Sequence, residues 1–294
     1  MPTHELPDII VEPIVRRALE EDLGLAGDVT TNAVVPPNVK ARAAIRARKA
    51  GTIGGLQPAL TAFRLIDPSL KIETGKPDGA WVSGGDTIAT LEGSARSLLT
   101  AERVALNFLG HLSGVATATA RLVEAVRSAG VNVKTRITCT RKTTPGLRAL
   151  ERQAVLLGGG FNHRFNLADA ILIKDNHIAV AGGVVAALKA AQARAGHMVQ
   201  IEIEVDTIEQ LLQALAAGAK IVLLDNMSVE EMAEAVRLTA GRAVLEASGG
   251  VALETAAAIA RTGVDYISSG ALTHSAPSLD VALDFETSLR DKPI

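Results

Sequence analysis

The pattern of apolar and polar positions changes character near residue 115. Beyond it, short β-branched runs alternate with Ala/Leu-rich stretches of helical period, and the unit repeats. Helix 116–129 leads to strand 131–139, helix 147–157 to strand 170–174, and helix 184–195 to strand 200–206. Helices 208–217, 229–239 and 253–261 lead in turn to strands 221–225, 242–247 and 266–269. Gly130, Gly196, Gly218, Gly241 and Gly263 follow helices, where a left-handed closing residue is expected. Strict alternation of helix and strand predicts parallel strands joined by crossover helices, as a barrel or an open doubly wound sheet.

The first third reads as mixed α+β. Residues 9–23 have helical periodicity and contain Pro13, a residue best placed in a first turn. Thr30-Thr31 and Pro36-Pro37 mark a break. Strands are expected over 39–50, 71–74 and 86–91, with Gly84-Gly85-Asp86 as a turn. Residues 100–112 form a helix whose apolar face carries Ala101, Val104, Ala105, Phe108, Leu109 and Leu112.

Composition narrows the function classes. With 48% hydrophobic residues the 294-residue chain can bury a sizeable core, and a net charge of −2 argues against a generic polyanion binder. An aromatic share of 2% leaves too few rings for a base-stacking nucleic-acid surface. The single cysteine, Cys139, excludes an internal disulfide and a multi-cysteine metal site, and fits a reducing compartment. The first residues carry neither a basic region nor an apolar one, and no run approaches a membrane span. A cytoplasmic protein is the expectation.

In parallel α/β folds reactive groups gather at the strand C-terminal ends. Three kinds of group recur there. The first is cationic: Arg141, Lys142, His163, Arg164 and Lys174 all fall in or near strand-end loops. Guanidinium forks match carboxylates and phosphates, and lysine adds a compact charge. The second is acidic. In Glu202-Ile203-Glu204-Val205-Asp206 the period of two puts three carboxylates on one face, and Asp225 follows one unit later. Burying like charges without a partner is very costly, so either Mg²⁺ or a lattice of lysine and arginine should offset them. For Glu202 a salt bridge is the expected partner. The third is glycine-rich: Ser248-Gly249-Gly250 and Ser269-Gly270-Ala271 follow successive strands, where backbone N–H groups can hold a phosphate. No Walker-type loop occurs, and no GxGxxG stands at a strand-to-helix turn. Together these groups describe one or two small, strongly anionic substrates with Mg²⁺ and no protein nucleophile, which phosphoribosyl transfer fits.

The motifs Thr140-Arg141-Lys142-Thr143-Thr144-Pro145-Gly146-Leu147-Arg148, Gly158-Gly159-Gly160-Phe161-Asn162-His163-Arg164 and Leu172-Ile173-Lys174-Asp175-Asn176-His177 resemble the signature of the quinolinate phosphoribosyltransferase family. Glu21-Asp22-Leu23, Gly27-Asp28-Val29-Thr30-Thr31, Ala101-Glu102-Arg103, Ser113-Gly114-Val115, Leu224-Asp225-Asn226, Glu246-Ala247-Ser248-Gly249-Gly250 and Gly270-Ala271-Leu272-Thr273-His274 extend the resemblance over nearly the whole chain. It implies an N-terminal open α/β sandwich over 1–115, rejoined by a tail of about 275–294, and an incomplete α/β barrel over 116–274. The implied reaction joins quinolinate to phosphoribosyl pyrophosphate, giving nicotinate mononucleotide, pyrophosphate and CO₂.

By motif, Arg141, His163, Arg164 and Lys174 would bind quinolinate, beside Thr140. Lys142, Glu204 and Asp225 would be the catalytic set, serving phosphoribosyl pyrophosphate, with the two acids holding its Mg²⁺. Ser248, Gly249, Gly250, Ser269, Gly270 and Ala271 would hold the 5′-phosphate, and Arg103 would enter the site of a neighbouring subunit in a homodimer. Cys139 is expected to pack. Three alternatives stay open: a relative of this fold with another acceptor, a Schiff-base aldolase using Lys174, and a non-catalytic anion-binding protein. Retaining Arg141 with His163-Arg164 speaks against the first.

Overall fold

The structure is a computed structural model, and it describes residues 5–130 and 134–286. Residues 1–4, read above for a leader, the start of the 131–139 strand and the end of the 275–294 tail lie outside the described residues. The chain runs through α1 (Asp8–Leu23), α2 (Val29–Val34), β1 (Lys40–Ala47), β2 (Gly51–Thr52), α3 (Leu56–Ile66), β3 (Lys71–Thr74), β4 (Trp81–Val82), β5 (Thr87–Ser94) and α4 (Ala95–Arg127). It continues through β6 (Arg136–Thr138), α5 (Arg148–Leu157), β7 (Ile171–Ile173), α6 (Asp175–Ala181), α7 (Val184–Gln192), β8 (Ile201–Val205), α8 (Ile208–Ala216) and β9 (Ile221–Asp225). Last come α9 (Val229–Thr239), β10 (Val244–Ser248), α10 (Leu253–Arg261), β11 (Tyr266–Ser268), α11 (Ala271–His274) and β12 (Val281–Phe285). Two compact units result: Met1–Ala120 with Thr143–Gly159 and Thr273–Ile294, and Arg121–Lys142 with Gly160–Leu272. Among the described residues no helix is long and apolar enough to cross a membrane.

In the first unit, β12, β1, β5 and β3 form an antiparallel sheet in that order. Helix α1 presents Val11, Val15 and Leu19 at helical spacing and packs on α3, whose Phe63 and Ala59 are fully buried. Pro13 lies in the second turn of α1 rather than the first, because the helix starts back at Asp8. The helices expected over 100–112 and 116–129 are one helix of 33 residues, α4. Gly114 does not break it. A Cβ there would come within 2.3 Å of the Pro277 carbonyl oxygen, so the glycine permits a close approach. The hydroxyl of Ser113 bonds both backbone groups of Gly54, and that of Thr117 accepts from the Thr52 N–H at 2.9 Å. Polar residues that read as an interruption therefore anchor α4 to the neighbouring chain.

The second unit holds a six-stranded parallel sheet, ordered β6-β11-β10-β9-β8-β7. Among the described residues, β6 and β7 end the sheet without pairing with each other, and beyond β6 lies a bridge from Thr138 to Phe161. The unit is thus an incomplete α/β barrel. Gly218, Gly241 and Gly263 take the left-handed conformation expected after their helices, at φ of 84°, 74° and 92°. Gly196 does not, since Val199 closes its turn onto the Gly196 carbonyl. Helix α6, directly after Lys174, was not apparent in the sequence because none of its seven residues is buried and no apolar face marks it. The Lys174 N–H donates to the His177 ring nitrogen Nδ1 at 2.9 Å, which ties that helix start down.

Candidate active site

The strand ends of the second unit surround a cleft of about 520 Å³. Its walls bring together Thr140, Arg141, Lys142, His163, Arg164, Lys174, Glu204, Asp225, Ser248, Gly249 and Gly250, eleven residues of the sequence reading. Leu172, Leu223, Asn226, Glu246 and Ser268 complete the lining. A cavity of about 580 Å³ in the first unit has mainly apolar walls with Arg64 and the half-buried Asp78. It offers nothing like the convergence of opposite charges at the strand ends.

The register explains who faces the cleft. Glu204 of β8 and Glu246 of β10 both pair with Leu223 of β9, so these three side chains lie in one layer. Ser248 pairs with Asp225 one layer nearer the strand ends. On β8 the three expected carboxylates do share a face but differ in depth. Glu202 is buried, Glu204 is half-buried, and Asp206 is exposed beyond the strand.

The cations come from the segments after β6, before β7 and after β7. Burial, and then the charge of the neighbouring Arg141, hold the Arg164 guanidinium below its usual range. Arg164 also donates through Nη1 to the Ala170 carbonyl at 2.8 Å. Two guanidiniums close enough to perturb one another favour an anion with two negative groups between them. Lys174 Nζ lies 3.3 Å from Glu204 Oε2. Cys139 is buried with its Sγ 3.3 Å from Asn162 Oδ1, the packing place expected for it.

His163 has a different setting from its neighbours. Its Nε2 stands 3.0 Å from Glu202 Oε2 and 3.8 Å from Glu246 Oε1, while Nδ1 accepts the Arg164 N–H at 2.8 Å. Both ring nitrogens are thus taken by protein groups. Burial alone would lower its pKa; the Glu202 hydrogen bond and the charges of Glu246 and Glu202 outweigh that and raise it. Glu202 therefore meets His163 through a hydrogen bond, which is a salt bridge only when the ring carries a second proton.

Glu204 and Asp225 offer hard oxygen donors to the cleft, and Asp225 Oδ2 accepts from Asn226 Nδ2 at 2.8 Å. A donor set of carboxylates without sulfur or imidazole fits Mg²⁺. Past β10, Gly249 has φ of 91°, and a Cβ on it would meet Asn226 Oδ1 at 2.1 Å, so only glycine fits there.

Some expected residues are placed elsewhere. Ser269, Gly270 and Ala271 do not line the cleft; Ser269 is buried, and its N–H donates to the Thr138 carbonyl at 3.1 Å. Ser268 lines the cleft instead, since successive positions along a strand face opposite sides of the sheet. Arg103 stands exposed on α4 in the first unit. Glu246, in contrast, lines the cleft from outside the expected set, although Val244-Leu245-Glu246-Ala247-Ser248 repeats the two-residue period of the β8 acids.

Residues 28–113 match the description "Quinolinate phosphoribosyl transferase, N-terminal domain", and residues 115–284 match "Quinolinate phosphoribosyl transferase, C-terminal domain". The chain is 45% identical over 264 residues to the probable nicotinate-nucleotide pyrophosphorylase [carboxylating] of Bacillus subtilis, covering 90% of this chain and 89% of that one. It is 45% identical over 275 residues to the nicotinate-nucleotide pyrophosphorylase [carboxylating] of Mycobacterium leprae, covering 92% and 95%. The solved nicotinate-nucleotide pyrophosphorylase of Francisella tularensis superposes with a TM-score of 0.90 at 39% identity, over 96% of this chain and 98% of that one.

Proposed function

Because the chain belongs to the quinolinate phosphoribosyl transferase family, we propose that the strand-end cleft of its second unit is where the reaction of that family takes place. The chain transfers the phosphoribosyl group of phosphoribosyl pyrophosphate to quinolinate with decarboxylation. The products are nicotinate mononucleotide, pyrophosphate and CO₂, a step of de novo NAD biosynthesis.

In this reading Arg141, Arg164 and Lys174 hold the two quinolinate carboxylates, and His163 helps to order the pocket beside Thr140. Lys142 faces the phosphates of the donor. Glu204 and Asp225 would hold Mg²⁺, which when bound supplies positive charge to the pyrophosphate. Ser248, Gly249 and Gly250 serve the 5′-phosphate, with Ser268 in the part that the resemblance implies for Ser269, Gly270 and Ala271. Held this way, the ring nitrogen attacks the ribose C1 carbon and pyrophosphate leaves. The nitrogen becomes quaternary, and its positive charge stabilises the electron pair left on the adjacent carbon as CO₂ departs. The protein's part is position and charge, which agrees with a cleft lined by cations and without an activated serine or cysteine. Arg103 completes the site of a second copy, so the working unit is a homodimer, and its place is the cytoplasm.

The observation that carries this reading is the pairing of Arg141 and Arg164 at one wall of the cleft. Calorimetric titration with quinolinate and with nicotinate tests it. The second carboxylate should add about tenfold or more in affinity, the worth of one charge-assisted contact. Equal affinity for the two acids would contradict the assignment.

A further inference from the structure

The reaction leaves one requirement that no residue has yet been given: a proton must replace CO₂ on the pyridine ring. The cleft supplies few groups able to release one near neutrality. Lysine ammonium and arginine guanidinium groups hold their protons far more tightly than a carboxyl. Lys174 is besides paired with Glu204 at 3.3 Å. The ring nitrogens of His163 are committed to Glu202 and to the Arg164 N–H. Hydroxyls such as those of Thr140 and Ser248 are weak acids.

Glu246 is different. It lines the cleft from β10, yet its side chain is only 8% exposed. Its Oε1 is buried without a hydrogen-bond partner among the described residues. A buried carboxylate oxygen left bare is costly in its ionised form. The surroundings reinforce this. Glu202 faces it from β8 and is held by His163, whose Nε2 is 3.8 Å from Glu246 Oε1. Leu223 flanks it on β9, Ser268 lies across on β11, and Arg141 and Arg164 stand on the loops above. Burial, then the Glu202 charge, push Glu246 up to about 7, with His163 and Ser268 pulling the other way. A second negative charge so close to a dianionic substrate would oppose binding, whereas a neutral carboxyl offers a proton.

We propose that Glu246 is the catalytic acid of this reaction, giving its carboxyl proton to the ring carbon that loses CO₂. The bond from that carbon to its carboxylate breaks, CO₂ leaves, and the bonding pair stays on the carbon beside the quaternary nitrogen. That pair takes the proton from the Glu246 O–H in the same step, forming the new C–H bond as CO₂ departs, so the acid governs CO₂ release. Glu246 is left as a carboxylate and regains a proton from water once the product departs. Glu202 and His163 act as positioning residues, since the charge of Glu202 keeps the proton on Glu246 until it is used. The inference rests on quinolinate occupying this cleft.

Single-turnover experiments with Glu246→Gln test it, following pyrophosphate and CO₂ separately. Pyrophosphate should form within about threefold of the unmodified rate, while CO₂ release slows about a hundredfold or more, the usual worth of a positioned acid. In the unmodified enzyme CO₂ release should decline as pH rises through about 7, because the acid must carry its proton. That decline should vanish in Glu246→Gln. If Glu246→Gln does not fold, Glu246→Asp serves: it keeps an acid, so the decline should persist but move. Equal loss of both products, or a pH profile unchanged in either variant, would overturn the assignment. Absence of both products from the unmodified enzyme would instead refute the placement of quinolinate.

Discussion

Arg141→Ala should lower kcat/KM for quinolinate by about 10- to 150-fold, the rate equivalent of one lost buried charge-assisted contact. The loss should appear chiefly as a raised KM for quinolinate, with the KM for phosphoribosyl pyrophosphate little changed. Arg141 stands beside Arg164, close enough to lower the latter's pKa, so removing it also removes repulsion. Part of the cost is thereby offset, and Arg164 becomes the sole guanidinium at that wall. Lys174→Ala should lose at least as much but affect both substrates, because Lys174 Nζ also holds Glu204 at 3.3 Å. Steady-state kinetics with each substrate varied in turn checks this. Near-normal quinolinate turnover in Arg141→Ala and Lys174→Ala would remove the cationic wall from the account.

Mixing two inactive proteins, Arg103→Ala and Lys174→Ala, should restore activity to about a quarter of normal if copies exchange randomly between dimers. The expectation follows from a site that takes Lys174 from one copy and Arg103 from the other. Half of the dimers would then be mixed, and each would hold one intact site. Arg103 is exposed on α4, where its charge partly offsets the burial that raises the Glu102 pKa. No recovery after verified exchange would mean that each site is built from one chain.

Much of the second unit was legible because its signals are local. Each strand is a short β-branched run, each helix an Ala/Leu stretch, and the closing glycines at 218, 241 and 263 mark the joints. Charged side chains at strand ends then had one direction to point. The parts that escaped notice depend on partners far along the chain. Ser113 and Gly114 read as a break in a helix; only the backbone of Gly54 and the carbonyl of Pro277 reveal them as anchor and close contact. α6 has no buried face to announce it. Ser268 and Ser269 differ by one position, and in a strand one position decides which face a side chain takes. Glu246 hid inside an apolar strand, where its meaning comes from Glu202 and His163 on other elements.

The most direct test of the cleft as a site for quinolinate and a magnesium-bound sugar pyrophosphate is the yield of pyrophosphate and CO₂ from quinolinate plus phosphoribosyl pyrophosphate, measured with Mg²⁺ and with a chelator. Equal molar yields that fall to background once the metal is removed are the predicted result. Undiminished turnover in the chelator, or CO₂ without matching pyrophosphate, would contradict the account.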